Sequence, residues 1–289
     1  MSEWYAGGCL CGRSRYRESG PLRVTAHCHC TMCRRGSGAP AVTWSVCRPD
    51  DFTWIGEQPT AYTSSEGCVR TFCAVCGTKL TFTDAKRPGD TDITVGSLDT
   101  PNAVSPESQI FGPSKISWLH VDPQVPFRNR HEPVDAPITP VADDEHLEGG
   151  CLCGAVRYTV TGPPAKSALC HCGICRRETG GPFAAWGIWP QESFQGNGAT
   201  TTAWATSEAG IRRFCPTCGA TVYFESRRHQ GITEIMLAGL DMPGKVAPTL
   251  HQFAADALRW LVMDDAWPRY PGKMLEGEPD DTLLRPAST

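Results

Sequence analysis

Seven cysteines at fixed spacing form a set that the chain contains twice. The first set reads Cys9-x-Cys11-Gly12, Cys28-His29-Cys30-x-x-Cys33-Arg34-Arg35 and Phe72-Cys73-x-x-Cys76-Gly77. The second, 142 residues later at every position, reads Cys151-x-Cys153-Gly154, Cys170-His171-Cys172-x-x-Cys175-Arg176-Arg177 and Phe214-Cys215-x-x-Cys218-Gly219. Fourteen of the sixteen cysteines belong to these sets; Cys47 and Cys68 face Trp189 and Gly210 in the other copy and read as ordinary small residues. Seven thiolates divide into four plus three. Four close a tetrahedral zinc site, a structural arrangement, whereas three leave one position for water or substrate.

Cys-x-x-Cys-Gly behind an aromatic is a zinc-knuckle turn, in which Gly lets the backbone aim amides at sulfur. The turn needs a second pair of thiolates. Cys9, Cys11, Cys73 and Cys76 are therefore assigned to one closed site, and Cys151, Cys153, Cys215 and Cys218 to its counterpart. Cys28, Cys30 and Cys33 remain, with Cys170, Cys172 and Cys175 in the second copy. At an open site of this kind an incoming thiol could bind and lose its proton. Closure by His29 or His171 is the alternative. A His between two ligands of an extended segment points to the opposite side, which favours the open site. Of Arg34, Arg35, Arg176 and Arg177, one member of each pair is expected at the surface, and the other to offset the anionic site or hold a substrate carboxylate. Asp99 and Asp241 read as strand-end capping residues.

The elements that must position these residues are short strands. Ala41–Val46, Lys79–Thr83 and Asp92–Val95 alternate or are β-branched, and Phe183–Trp189, Thr221–Phe224 and Thr233–Leu237 repeat the pattern between Gly, Pro and Asp clusters. Short helices are expected only around Met32–Arg35 and Ile174–Glu178. The repeat also matches outside the cysteines, as at Trp44 and Trp186, Arg70 and Arg212, Leu98-Asp99 and Leu240-Asp241, and Trp118-Leu119 and Trp260-Leu261. The expected organisation is an all-β chain of two tandem zinc domains, residues 1–127 and 148–272. A Pro-rich, acidic linker at 128–147 joins them and a flexible tail follows at 273–289.

Bulk properties narrow the function. A net charge of −4 argues against a nucleic-acid footprint. No stretch approaches the ~20 apolar residues of a membrane helix. Met1-Ser2-Glu3-Trp4-Tyr5 has no secretory n-region or h-region, so a cytoplasmic location is expected. Cys9 and Cys11 are too close for an unstrained disulfide but well spaced to grip one metal ion, so zinc is expected rather than a disulfide framework.

Cys-x-Cys-Gly, Cys-His-Cys-x-x-Cys-Arg and Phe-Cys-x-x-Cys-Gly, in this order, resemble the glutathione-dependent formaldehyde-activating enzyme and centromere protein V family, over nearly all of both repeats. The resemblance implies a β-tent fold and two zinc ions per domain, up to four per chain, split as above. It also implies that the three-thiolate sites contact the glutathione thiol. The implied activity is that of a carbon–sulfur lyase acting on adducts of a thiol such as glutathione with an aldehyde such as formaldehyde. The Cys28 and Cys170 clusters would be catalytic, and His29 and His171 are candidate proton carriers by type and proximity. The two domains could pack as an internal pseudo-dimer. Gln109 stands opposite His251, so the copies need not be equally competent. The competing expectation is a non-catalytic zinc scaffold that binds a protein partner; a redox or metal-buffer role ranks behind both.

Overall fold

The computed structural model describes residues 4–128, 146–208, 210–227 and 229–273. Most of the expected linker, and the tail beyond Lys273, lie outside these residues. The strand that opens the second repeat, His146–Gly150, begins two residues before the boundary expected at 148.

Each repeat contains two sheets. In the first, a three-stranded antiparallel sheet orders Tyr5–Gly8, Arg15–Glu18 and Phe52–Trp54. A seven-stranded sheet runs, in spatial order, Ser108–Ile110, Val24–Cys28, Val42–Cys47, Thr91–Thr94, Lys79–Asp84, Cys68–Phe72 and Thr60–Ser65. Only its first pair is parallel. The second repeat has the same three-stranded and seven-stranded sheets in the same order, with His251–Gln252 parallel to Lys166–Cys170 at the matching edge. The β-branched and aromatic runs of the sequence form these strands because alternate side chains must be buried on one face. The chain is thus all-β with two tandem units, and the α-helices among the described residues are two single short pieces, α1 (Thr31–Ser37) and α2 (Gly173–Thr179). No helix among the described residues is long and apolar enough to cross a membrane.

The repeats are closely joined. Ile116, Trp118, Leu119 and Val121, which end the first repeat, pack in one core with Leu169, Phe183, Trp189 and Leu237 of the second. The indole of Trp118 donates to the Pro243 carbonyl at 2.8 Å, and that of Trp260 to the Pro101 carbonyl at 3.0 Å. Each trailing segment therefore lies on the other repeat. The knuckle glycines explain another close approach. Gly77 and Gly219 both have φ +74°, and a Cβ on either would meet the other repeat's Phe214 or Phe72 ring within 3 Å. Positive φ and lack of space both require glycine there.

Candidate metal centres and their surroundings

The closed sites form where the three-stranded sheet meets the knuckle. Sγ of Cys11 lies 3.4 Å from that of Cys9 and 3.6 Å from that of Cys73, and Cys153 repeats this at 3.5 and 3.6 Å from Cys151 and Cys215. Zinc–sulfur bonds of ~2.3 Å in a tetrahedron put sulfurs ~3.8 Å apart, far from the ~2.05 Å of a disulfide. All four sulfurs of each set lie within 4.8 Å of one another, so the donor set fits zinc. Amides accompany them: Ser14 N–H donates to Cys9 Sγ and Val156 N–H to Cys151 Sγ, each at 3.3 Å. Amides within both knuckles also face the first knuckle sulfur.

The three-cysteine sets form at the edge of the large sheet. Cys28 ends a strand, Cys30 caps α1 and Cys33 lies in its first turn; Cys170, Cys172 and Cys175 do the same around α2. Cys33 N–H donates to Cys30 Sγ at 3.3 Å, so the cap that starts the helix is itself a candidate ligand. Gly38 and Gly180, with φ +84° and +72°, end the helices one turn later. Each set of three sulfurs lies within 4.8 Å, with no His among them. Phe111 and Phe253 adopt left-handed conformations, φ 58° and 53°, against these clusters. Non-glycine residues are held this way only where surrounding structure enforces it.

His29 and His171 are buried and turned to other partners. Gln109 Nε2 donates to the carbonyls of Val121, Asp122 and Val125 at 3.3, 2.9 and 3.0 Å. Its Oε1 therefore accepts from His29 Nε2–H at 2.8 Å. In the second repeat His171 Nε2–H donates to His251 Nδ1 at 2.8 Å, and His251 Nε2–H to Asp265 at 2.9 Å. Burial pushes His29 down to about 4 and His171 to about 3, so both are neutral near pH 7. Their Nδ1 atoms are buried acceptors without a hydrogen-bond partner.

No member of the arginine pairs lies at the surface as expected: Arg34 and Arg35 are buried, and Arg176 and Arg177 are half-buried. Arg35 pairs with Asp241 and Arg177 with Asp99, each across the repeat boundary, and Arg157 and Arg15 complete the two networks. The carboxylates of Asp99 and Asp241 are thus committed to joining the repeats, not to capping strands. Arg34 donates to the Ala238 carbonyl and Thr31 Oγ1, both at 3.4 Å, and Arg176 to the carbonyls of His171 and Asp256. The arginines that touch the three-cysteine clusters are others, Arg70 and Arg212. Arg70 Nη1 and Nη2 lie 3.5 and 3.6 Å from Cys33 Sγ, and Arg212 Nη2 lies 3.2 Å from Cys175 Sγ. Their match across the repeat was the signal for them, but the sequence does not show which arginine faces sulfur. Cys47 is buried, with its thiol on the Thr91 carbonyl, and neither it nor Cys68 joins a cluster.

Around these arginines the repeats differ. Glu178 in α2 is fully buried, accepting from Arg212 Nη1 and, at 3.0 Å, from Thr221 Oγ1. Its counterpart in α1 is Gly36. A cavity of about 20 Å³ opens there, lined by Cys33, Gly36, Trp44, Arg70 and Lys79. Lys79 Nζ, whose pKa burial lowers to about 8, reaches across to Thr221 Oγ1 at 2.6 Å.

A family model described as glutathione-dependent formaldehyde-activating enzyme matches residues 4–114 and again residues 146–256. An uncharacterized lyase of Schizosaccharomyces pombe is 35% identical over 77 residues, 27% of this chain and 56% of the relative, so the chain spans little more than half of that protein. A putative glutathione-dependent formaldehyde-activating enzyme of Halomonas elongata is 26% identical over 146 residues, 47% of this chain and 91% of the relative. A crystal structure of a Rhodobacter sphaeroides protein aligns at 23% identity over 32% of this chain and 87% of that one, with a TM-score of 0.29.

Proposed function

Since the chain belongs to the glutathione-dependent formaldehyde-activating enzyme family, we propose that it is a zinc-dependent carbon–sulfur lyase that forms and cleaves adducts of a small thiol, such as glutathione, with an aldehyde such as formaldehyde. The observation that carries the reading is the three-sulfur cluster whose adjacent histidine is turned to another partner, leaving one tetrahedral position without a protein ligand. Cys28, Cys30 and Cys33, with Cys170, Cys172 and Cys175, would hold the ion; Cys9, Cys11, Cys73 and Cys76, with Cys151, Cys153, Cys215 and Cys218, would hold structural ions, four per chain in all. Zinc in the open cluster supplies a substrate thiol that is ionised near neutral pH.

The thiolate sulfur attacks the aldehyde carbon, a C–S bond forms, the C=O π pair moves to oxygen, and that oxygen takes the proton the thiol gave up. Cleavage is the reverse. Arg70 and Arg212 offset the charge of the sulfur cluster and orient Cys33 and Cys175. Neutral His29 and His171, with an unprotonated Nδ1, are of the right type to accept a proton. None of the sixteen cysteines is paired in a disulfide, as zinc ligation in a reducing, cytoplasmic setting requires.

The test pairs elemental analysis with turnover. Wild type should carry zinc in both kinds of site and consume formaldehyde only when glutathione is present, and a Cys30→Ser/Cys172→Ser double variant should lose that consumption. Full zinc occupancy without thiol-dependent consumption would overturn the reading.

A further inference from the structure

The geometry points to an oxyanion subsite in the first repeat, between Cys33, Gly36, Arg70 and Lys79, at a place that the second repeat fills from within with the Glu178 carboxylate. This rests on the lyase reading for the identity of the ligand, but the subsite itself follows from the comparison of the two repeats.

In the second repeat the place is occupied. Glu178 presents one oxygen to Arg212 and the other to Thr221, and Arg212 is only 6% exposed. Glu178 is thus an internal example of what the surroundings accept: one carboxylate held against a guanidinium that also touches a cluster sulfur. In the first repeat the guanidinium is retained and the carboxylate is absent. Arg70 touches Cys33 and stacks over Phe82 at 4.7 Å, and it pairs with no carboxylate among the described residues, whereas Arg212 pairs with Glu178. Lys79 stands where the second repeat has Thr221; it lines the cavity, but its Nζ is directed across to Thr221 Oγ1, which in turn donates to Glu178. The cavity, at about 20 Å³, has room for one water-sized oxygen, and Arg70 is half-buried where Arg212 is closed off. A guanidinium beside a cavity, without the carboxylate that its counterpart holds, favours a ligand that brings one.

The ligand class is therefore a small oxygen anion carried by the substrate. Two sources share this chemistry: a carboxylate of the thiol, or the oxygen that becomes negative when thiolate adds to the aldehyde. Either way, the first repeat admits the ligand and the second does not.

The test transplants the plug. Calorimetry on zinc-loaded protein would compare wild type with Gly36→Ala, Gly36→Glu and Gly36→Gln, using formate and S-methylglutathione as probes. A Cβ at Gly36 would meet the Leu152 Cδ2 methyl at 3.2 Å, a tight contact to which that methyl must yield, so Gly36→Ala measures how much of any loss comes from the added Cβ rather than from the plug. Gly36→Glu should weaken one or both probes by about tenfold or more, the scale of a lost hydrogen bond to a charged group. Should Gly36→Glu fail to fold, the neutral plug Gly36→Gln reads the same effect. Loss of both probes assigns the subsite to the thiol's carboxylate, and loss of formate alone assigns it to the adduct oxygen. Binding that is absent in wild type, or unchanged in every folded plugged variant, overturns the proposal. Probe binding that responds to the plug, in a protein with no thiol-dependent formaldehyde consumption, would keep the subsite and discard the lyase reading.

Discussion

Both cluster arginines meet sulfur and aromatic rings, but beside the Cys28 cluster Arg70 also meets an open cavity, and beside the Cys170 cluster Arg212 meets a buried carboxylate. The histidines differ in the opposite sense. His29 ends on an amide, Gln109, that cannot titrate, whereas His171 continues through His251 to Asp265. The sulfur sets, the capped helices and the left-handed phenylalanines are the same in both. What the duplication has kept is what the fold and the metal need; among what it has let change are the surroundings of the open position. Glu178 with Thr221, against Gly36 with Lys79, makes the difference between half of a buried ion pair and an arginine beside a cavity.

The largest effect that could break this comparison concerns what both repeats share. Cys73→Ser and Cys215→Ser each remove a ligand of a closed site, where metal binding is folding free energy of about 10 kcal/mol or more in small zinc modules. That is on the order of a whole domain's stability, about 5–15 kcal/mol. Because the trailing segment of the first repeat is part of the second repeat's core, either variant should lose the native circular dichroism of both halves in one transition. Independent melting of the untouched repeat would show that the halves are separable.

Next in size are the ion pairs between repeats, which are matched in sequence but not in burial. Asp241 and Arg35 are 3% and 2% exposed, whereas Asp99 is 39% exposed and Arg177 23%. Asp241→Ala strands a buried guanidinium and should cost about 3–5 kcal/mol in denaturant unfolding. Asp99→Ala should cost about 1 kcal/mol or less. Equal losses would mean that the two networks do the same work. Glu178→Gln, which keeps the plug's shape and removes its charge, should fall between them at about 2–3 kcal/mol, because Arg212 keeps only the sulfur as an anionic partner. The smallest expected change is His251→Gln, about 1 kcal/mol, since the first repeat already shows a glutamine accepting from the equivalent histidine. A loss of several kcal/mol would show that the Asp265–His251 pair is a major support of the second repeat.

The sulfur sets were legible because metal ligation constrains spacing along the chain, and Cys9-x-Cys11 with Cys73-x-x-Cys76 leaves few ways to divide seven thiolates. The strands were legible from β-branched runs, and the short helices from the residues after each middle cluster. Lys79–Asp84 starts where expected and ends one residue later, and Thr31–Ser37 starts one residue earlier and ends two later than expected. The roles of the arginines were not legible. Arg35 follows a cluster in sequence but points across the repeat boundary to Asp241, while Arg70, remote in sequence, is brought to Cys33 by its strand. Side-chain direction on a one-turn helix, and contacts between residues 204 or more apart such as Arg34 with Ala238, depend on packing that no local pattern encodes. The difference between Gly36 and Glu178 is plain in the aligned repeats, but only the position of Arg212 gives it meaning.

If the oxyanion subsite is open in the first repeat and plugged in the second, the Cys28 cluster carries most of the turnover. This is tested most directly by measuring glutathione-dependent formaldehyde consumption of the single variants Cys30→Ser and Cys172→Ser, with zinc content determined on the same samples. The account predicts that Cys30→Ser loses activity roughly 100-fold while Cys172→Ser stays within about twofold of wild type, each with one zinc ion fewer per chain. Activity that survives in Cys30→Ser and disappears in Cys172→Ser would place the chemistry in the second repeat and contradict it.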